Sequence, residues 1–359
     1  MAPSLFSRAR PVPGALAVLA LVLSAACGPA TSGPPGQPAP APPAAAPPAA
    51  AGAPAPTALP TLSVADGMLP PAAFQWAAYV AQDKGFFSAQ ALDVDTTQIG
   101  TPNEAARAVV SSSVAVAHFS VDAAVRAIEA GGDLVVVGSE IANPAFALIV
   151  QPEIRDYADL RGKSLAVSTP KDGAAVVLRL MMRAKGLGDA DYDFLSVGTT
   201  PNRYAALKSR QADGAIMTQP LDFTAIDDGY RLLGRSSEVL QQFMFMSVSA
   251  NRTWAQENRA ALTRYMKALG GAIDWLYDPA NKEAAIDVLV GRTKAERDAA
   301  ARTYTVYVEE GKVLPRHAEV PMAGLEAMLQ AMIELGDLPG PTADAARYVD
   351  PSFVAAARS

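Results

Sequence analysis

The chain has 359 residues, half of them apolar, a formal net charge of −6, 29 prolines, 26 glycines, two histidines and one cysteine. That length exceeds one ordinary core and fits a targeting segment plus one large or two medium domains. A lone cysteine excludes a disulfide framework, two distant histidines supply no zinc ligand set, and the acidic balance argues against nucleic acid as a partner.

Residues 1–27 read as an export signal. Arg8 and Arg10 give the positive start, residues 16–23 are a short apolar run, and Ser24, Ala25 and Ala26 precede Cys27. The run is too short for a membrane span, which needs roughly 20 apolar residues. The segment Leu23-Ser24-Ala25-Ala26-Cys27 resembles a bacterial lipobox, with its leucine four rather than three places before the cysteine. The resemblance implies that Cys27 is lipidated and becomes the mature N-terminus, so the folded part has no thiol. Residues 28–60 are almost wholly Pro, Ala and Gly and carry no charge. Such a stretch builds no core. Its prolines favour an extended spacer of roughly 3.1 Å per residue.

From Thr61 strand-length apolar runs alternate with helical stretches. The expected strands are 62–65, 94–99, 114–119, 134–137, 146–150, 165–167, 194–197, 215–217 and 243–248. Apolar strands between helices predict α/β structure with mixed, mostly parallel sheets covered on both faces. Thr101-Pro102-Asn103-Glu104 has the form of a capping box, and Thr200-Pro201 is expected to open a second helix in the same way. Asp172 can cap a helix that Gly186 stops.

These openings expose a repeat. Thr101-Pro102-Asn103 recurs 99 residues later as Thr200-Pro201-Asn202, and the same offset sets the strand at 114–119 on 213–218. Two similar lobes follow, each with ligand-facing turns at the carboxyl ends of its strands. The division expected is 61–141 plus 249–359 for lobe 1 and 142–248 for lobe 2. The tail is helical and expected to pack on lobe 1; the hinge is expected near 138–144 and 241–248.

Residues 75–95 carry Ala81, Asp83, Gly85, Phe86 and Phe87, then Leu92, Val94 and Asp95. Further on come Asp159-Leu160-Arg161-Gly162-Lys163 and Asp213-Gly214-Ala215 with Gln219-Pro220. In order and spacing these resemble the periplasmic substrate-binding proteins of ABC importers, in the nitrate, sulfonate and taurine branch with the thiamine-precursor (NMT1/THI5-like) domain. One departure is Ala91, where that branch has Gly. The resemblance implies a type II periplasmic-binding-protein fold, hinge closure on a small solute, no catalysis and no cofactor or metal. It also implies delivery to a permease and its ATPase outside the cytoplasm, by a monomer.

Helix N-termini facing a cleft make anion sites, because exposed N–H groups and the positive dipole end converge there. Together with the resemblance this nominates Ser120, Ser168, Thr169, Asp172, Gly173 and Gln219 as ligand contacts. Trp76, Phe119 and Tyr204 could stack on a flat ligand, and Lys171 could pair with an anion. A small organic anion is the expected solute, with a thiamine-precursor pyrimidine as the alternative. Ser168-Thr169-Pro170-Lys171 is formally the S-x-x-K motif of serine enzymes, but no S-D-N or K-T-G accompanies it.

Overall fold

The computed structural model describes residues 59–340 and 344–359. The expected leader with Cys27, and the expected spacer up to residue 58, lie outside the described residues. The elements, in order, are β1 (Leu62–Met68), α1 (Trp76–Asp83), α2 (Phe86–Ala89), β2 (Leu92–Gln98), α3 (Pro102–Val110), β3 (Val116–Ser120), α4 (Val121–Glu129) and β4 (Leu134–Ile141). Then come β5 (Ala147–Val150), β6 (Lys163–Val167), α5 (Gly173–Ala184), β7 (Tyr192–Ser196), α6 (Thr200–Lys208), β8 (Gly214–Met217), α7 (Leu221–Asp227) and β9 (Arg231–Arg235). The last are β10 (Met246–Asn251), α8 (Arg252–Glu257), α9 (Arg259–Leu276), α10 (Lys282–Thr293), α11 (Arg297–Tyr304), α12 (Met322–Glu334) and α13 (Ser352–Ala357).

Two five-stranded sheets form, ordered β2-β1-β3-β10-β4 and β7-β6-β8-β5-β9. Each has four parallel strands and one antiparallel strand inserted second from an edge: β10 in the first sheet, β5 in the second. The inserted strand is the one that arrives from the other lobe. The repeat seen in the sequence is therefore the repeat of the fold, with β2-α3-β3 matched by β7-α6-β8. All eight residues of β4 and all four of β5 are buried, which is why β5 and the first half of β4 read as unbroken apolar runs.

Three expectations change. The strand β9 has no apolar run to announce it, because it is a sheet edge with Arg231 and Leu232 exposed. Met246, Ser247 and Val248 pair with β3 and β4, so the return to the first lobe comes before residue 246 and not after 248. The tail packs mainly on the first lobe, α9 against α1 and α2. However, α11 also touches α7 of the second lobe, where Arg302 pairs with Asp227.

The two crossovers run side by side. Phe243 N–H donates to Ala142 O at 3.3 Å and Phe245 N–H to Ile141 O at 2.9 Å. Helix starts follow the cap chemistry in part. Thr101 Oγ1 accepts from Glu104 N–H at 3.3 Å, the threonine half of the expected box. Asp172 Oδ1 accepts from Ala175 N–H at 2.9 Å. Gly186 ends the chain of that helix with a positive φ of 79°, a conformation that costs glycine nothing.

Candidate functional site

A cavity of about 110 Å³ lies between the lobes, a size that takes one small organic molecule. Each lobe contributes three matching segments. From the first come the turn after β1 (Leu69 to Gln75), the start of α3 (Gly100, Thr101, Pro102) and Ser120 at the end of β3. From the second come Ser168 with Asp172 to Ala174 after β6, the start of α6 (Gly198 to Pro201, with Arg203) and Thr218 at the end of β8. All lie at carboxyl ends of parallel strands, where the helix N-termini also point. Phe74, Phe146 and Phe245 form one apolar wall, with ring centroids 4.9 to 5.2 Å apart.

The charge in this cavity is Arg203. It is 3% exposed and, among the described residues, pairs with no carboxylate within ion-pair distance. Its guanidinium donates to Ser168 Oγ at 2.6 Å, Gly198 O at 2.9 Å and Thr200 Oγ1 at 2.6 Å. These are neutral oxygens, and Nε has no hydrogen-bond partner among the described residues. Burial pushes its pKa down to about 10, against the pull of Asp172. It therefore remains a cation at neutral pH, held in place with Asp172 nearby but with no carboxylate bonded to it among the described residues.

Two further polar atoms are orphaned nearby. Ser120 Oγ, buried and facing the cavity at the start of α4, has no hydrogen bond of ordinary geometry. Its neighbour Asp122 Oδ1 also lacks one. The Asp172 carboxylate, by contrast, is spent on its own turn, accepting from Ala175 N–H and from Thr169 N–H at 3.3 Å.

Of the nominated contacts, Ser120, Ser168, Asp172 and Gly173 line the cavity. Six do not. Trp76 is fully buried in the core, its indole N–H satisfied by Ala285 O at 3.1 Å and its ring beside Tyr304; a satisfied indole has no call to face solvent. Phe119 is fully buried on β3. Tyr204 donates to the Asp228 carboxylate on the outer side of α6. Gln219 is locked by bonds to Ala145 O and Asp222 and by the Tyr307 hydroxyl. Thr169 serves the Asp172 turn, and the Lys171 side chain is exposed. The serine-enzyme motif fails on the same geometry: Ser168 to Lys171 form a turn before α5, and Arg203 holds the Ser168 hydroxyl.

Sequence reading passed over Arg203 as a contact. A signal was present, since Arg203 shares the buried stripe of α6 with Ala206 and Leu207. A charge on an apolar helical stripe needs a partner or a purpose. Thr200 also differs from its repeat mate. Thr199 takes the N-cap position without a side-chain bond, while Thr200 Oγ1 faces Arg203 and Thr218.

The sequence profile of the family described as NMT1/THI5 like matches residues 75–282. Among curated proteins none matches the chain significantly. Solved structures share the fold. The periplasmic nitrate-binding protein NrtA from Synechocystis PCC 6803 is 13% identical with a TM-score of 0.72, over 83% of this chain and 88% of that one. The alkanesulfonate-binding protein SsuA from Xanthomonas axonopodis pv. citri, bound to MOPS, is 18% identical with a TM-score of 0.64, over 84% and 99%. The ligand-binding component of an ABC-type import system from Staphylococcus aureus is 10% identical with a TM-score of 0.70, over 82% and 98%.

Proposed function

The chain belongs to the NMT1/THI5-like family, and we propose that it is the extracytoplasmic solute-binding receptor of an ABC importer, without catalytic activity of its own. It captures a small organic anion between its lobes and presents it to a permease and ATPase. Arg203 carries this reading: a buried cation, fixed by three neutral oxygens and lacking a bonded carboxylate among the described residues, lines a cavity of molecular size. An anionic head group is the partner that such a cation lacks, and the helix N-termini around it add favourable dipoles. Ser120 Oγ offers a further donor to that head. The three phenylalanines accept an apolar body. An alkyl or aromatic sulfonate or carboxylate has both parts, and two of the fold's relatives are described as binding nitrate and alkanesulfonate.

The site draws on turns of both lobes, so a solute touching all of them is enclosed only when the lobes are together. In this reading Cys27 carries the lipid, residues 28–60 are the spacer, and the receptor works as a monomer moored to the membrane.

The test is a calorimetric and thermal-shift panel of alkanesulfonates, aromatic carboxylates, nitrate and neutral pyrimidines. Small organic anions are expected to bind, and Arg203→Gln to lose them. Binding confined to neutral or cationic solutes, or full anion affinity in Arg203→Gln, overturns the reading.

A further inference from the structure

The first turn of α4 meets the first turn of α5 across the cleft. Asp122, from the first lobe, is fully buried. Its Oδ2 accepts from both terminal nitrogens of Arg126, at 2.9 and 2.8 Å. Its Oδ1 has no partner and lies against Gly173 of the second lobe. A Cβ at Gly173 would overlap that oxygen and sit 2.9 Å from the Phe245 ring. Arg126 reaches on to the Lys171 carbonyl. The contact is thus made by both lobes and exists only while they are together.

We propose that closure of the lobes is coupled to uptake of a proton at Asp122, with Gly173 as the residue that lets the jaws meet there. The proposal rests on the hinge-closing receptor reading above. With the lobes apart, Oδ1 faces water and Asp122 is one half of an i,i+4 ion pair on a helix surface. Closing removes that water and supplies no donor in its place. The groups facing the carboxylate then are few. Arg126 comes from its own helix, Ser120 from the end of β3, Asp172 and the Lys171 carbonyl from the α5 turn, and the Phe245 ring from the crossover; the Lys171 side chain itself is exposed. Burial raises the Asp122 pKa most, Arg126 and then the Ser120 hydroxyl oppose, and Asp172 adds to the rise. An anion beside Arg203 acts in the same direction as Asp172.

A group whose pKa is higher in the closed state than in the open one favours closure as pH falls and disfavours it as pH rises through the closed-state value. Anion affinity therefore falls with rising pH across that interval, by at most about tenfold per unit for one proton.

Solution scattering of the ligand-free protein at about pH 5 and about pH 8 reads the coupling without any solute. The wild type is expected to be more compact at the lower pH. Asp122→Asn is expected to be equally compact at both. Gly173→Ala, which leaves every charge in place, stays expanded at both. Equal compactness of the wild type at the two pH values, or a pH response retained by Asp122→Asn, overturns the proposal. Calorimetry with a simple alkanesulfonate, in two buffers of different ionisation enthalpy, should add proton uptake in the wild type and none in Asp122→Asn. A chain that responds to pH but ignores the sulfonate refutes the ligand class and leaves the coupling standing. One that binds the sulfonate and takes up no proton does the reverse.

Discussion

Two buried charges, His118 in the first lobe and Arg203 in the second, sit at similar depth and differ in company. His118 is fully enclosed, with Nδ1 2.6 Å from Glu140 Oε2 and Nε2 2.6 Å from the Tyr265 hydroxyl and 3.4 Å from Asp66 Oδ1. Burial works against its charge, but the two carboxylates outweigh it and push the pKa up to about 10. Glu140 in turn accepts from Ala78 N–H at 3.2 Å, tying α1 to β4. Arg203 has no bonded carboxylate and one nitrogen with no partner among the described residues. The first arrangement is paired in charge and belongs to the scaffold, although Asp66 Oδ1 there has no hydrogen-bond partner among the described residues. The second is incomplete in the way a binding site is before its ligand arrives.

The contrast can be broken by mutation, starting with the largest effect. His118→Ala leaves Glu140 and Asp66 buried without their cation and is expected to cost about 3–5 kcal/mol in chemical denaturation. Folded molecules of this variant should retain wild-type solute affinity. The pH profile sharpens the same point. The folded pKa of His118 lies above its ordinary 6.5, so its contribution is full below that value and fades as pH rises through about 10. Denaturation midpoints of the wild type should fall in that alkaline window, with the step missing from His118→Ala.

Arg203→Gln should show the opposite pattern, with anion affinity down roughly 10- to 100-fold and a smaller stability change than at His118. The repeated threonines give the finest comparison. Thr101→Ala should lose about 1 kcal/mol of stability through its cap and weaken binding less than the change at Thr200. Thr200→Ala should weaken anion binding roughly 2- to 10-fold, since its hydroxyl holds the Arg203 guanidinium. If Thr101→Ala weakened binding as much as Thr200→Ala, the two lobes would share the work equally and the contrast drawn here would fail.

Much of the fold was legible because buried parallel strands write themselves as apolar runs. Eight of the nine expected runs overlap the strands β1 to β8 one for one, four of them lying wholly within β1, β4, β6 and β8, and the ninth overlaps β10. The strand β9 escaped because this edge strand buries only Gly234 and leaves Arg231 and Leu232 exposed, so it carries no apolar run. The site was harder to read. Ser168 and the turn from Asp172 to Gly173 were nominated from helix-start chemistry, and they line the cavity. Aromatic residues misled, since Trp76 and Phe119 serve packing, whereas Phe74, which was not nominated, lines the cavity. Nothing in local pattern tells which side of a buried ring meets a void. Gln219 was read as a contact from the helix start expected after it, together with the family resemblance. Its amide instead fastens the α7 start to Ala145 and Tyr307, a long-range knot that spacing along the chain does not encode.

The paired crossovers, joined between Ala142 and Phe243 and between Ile141 and Phe245, restrict how the jaws can travel. A ribbon of two bonded segments bends across its width far more readily than it slides along its length, because sliding breaks the bonds and bending keeps them. Such a pivot has in effect one axis of rotation. Each swing would bring Gly173 back to the same spot beside Asp122, with the accuracy that a fit too tight for one methyl group demands.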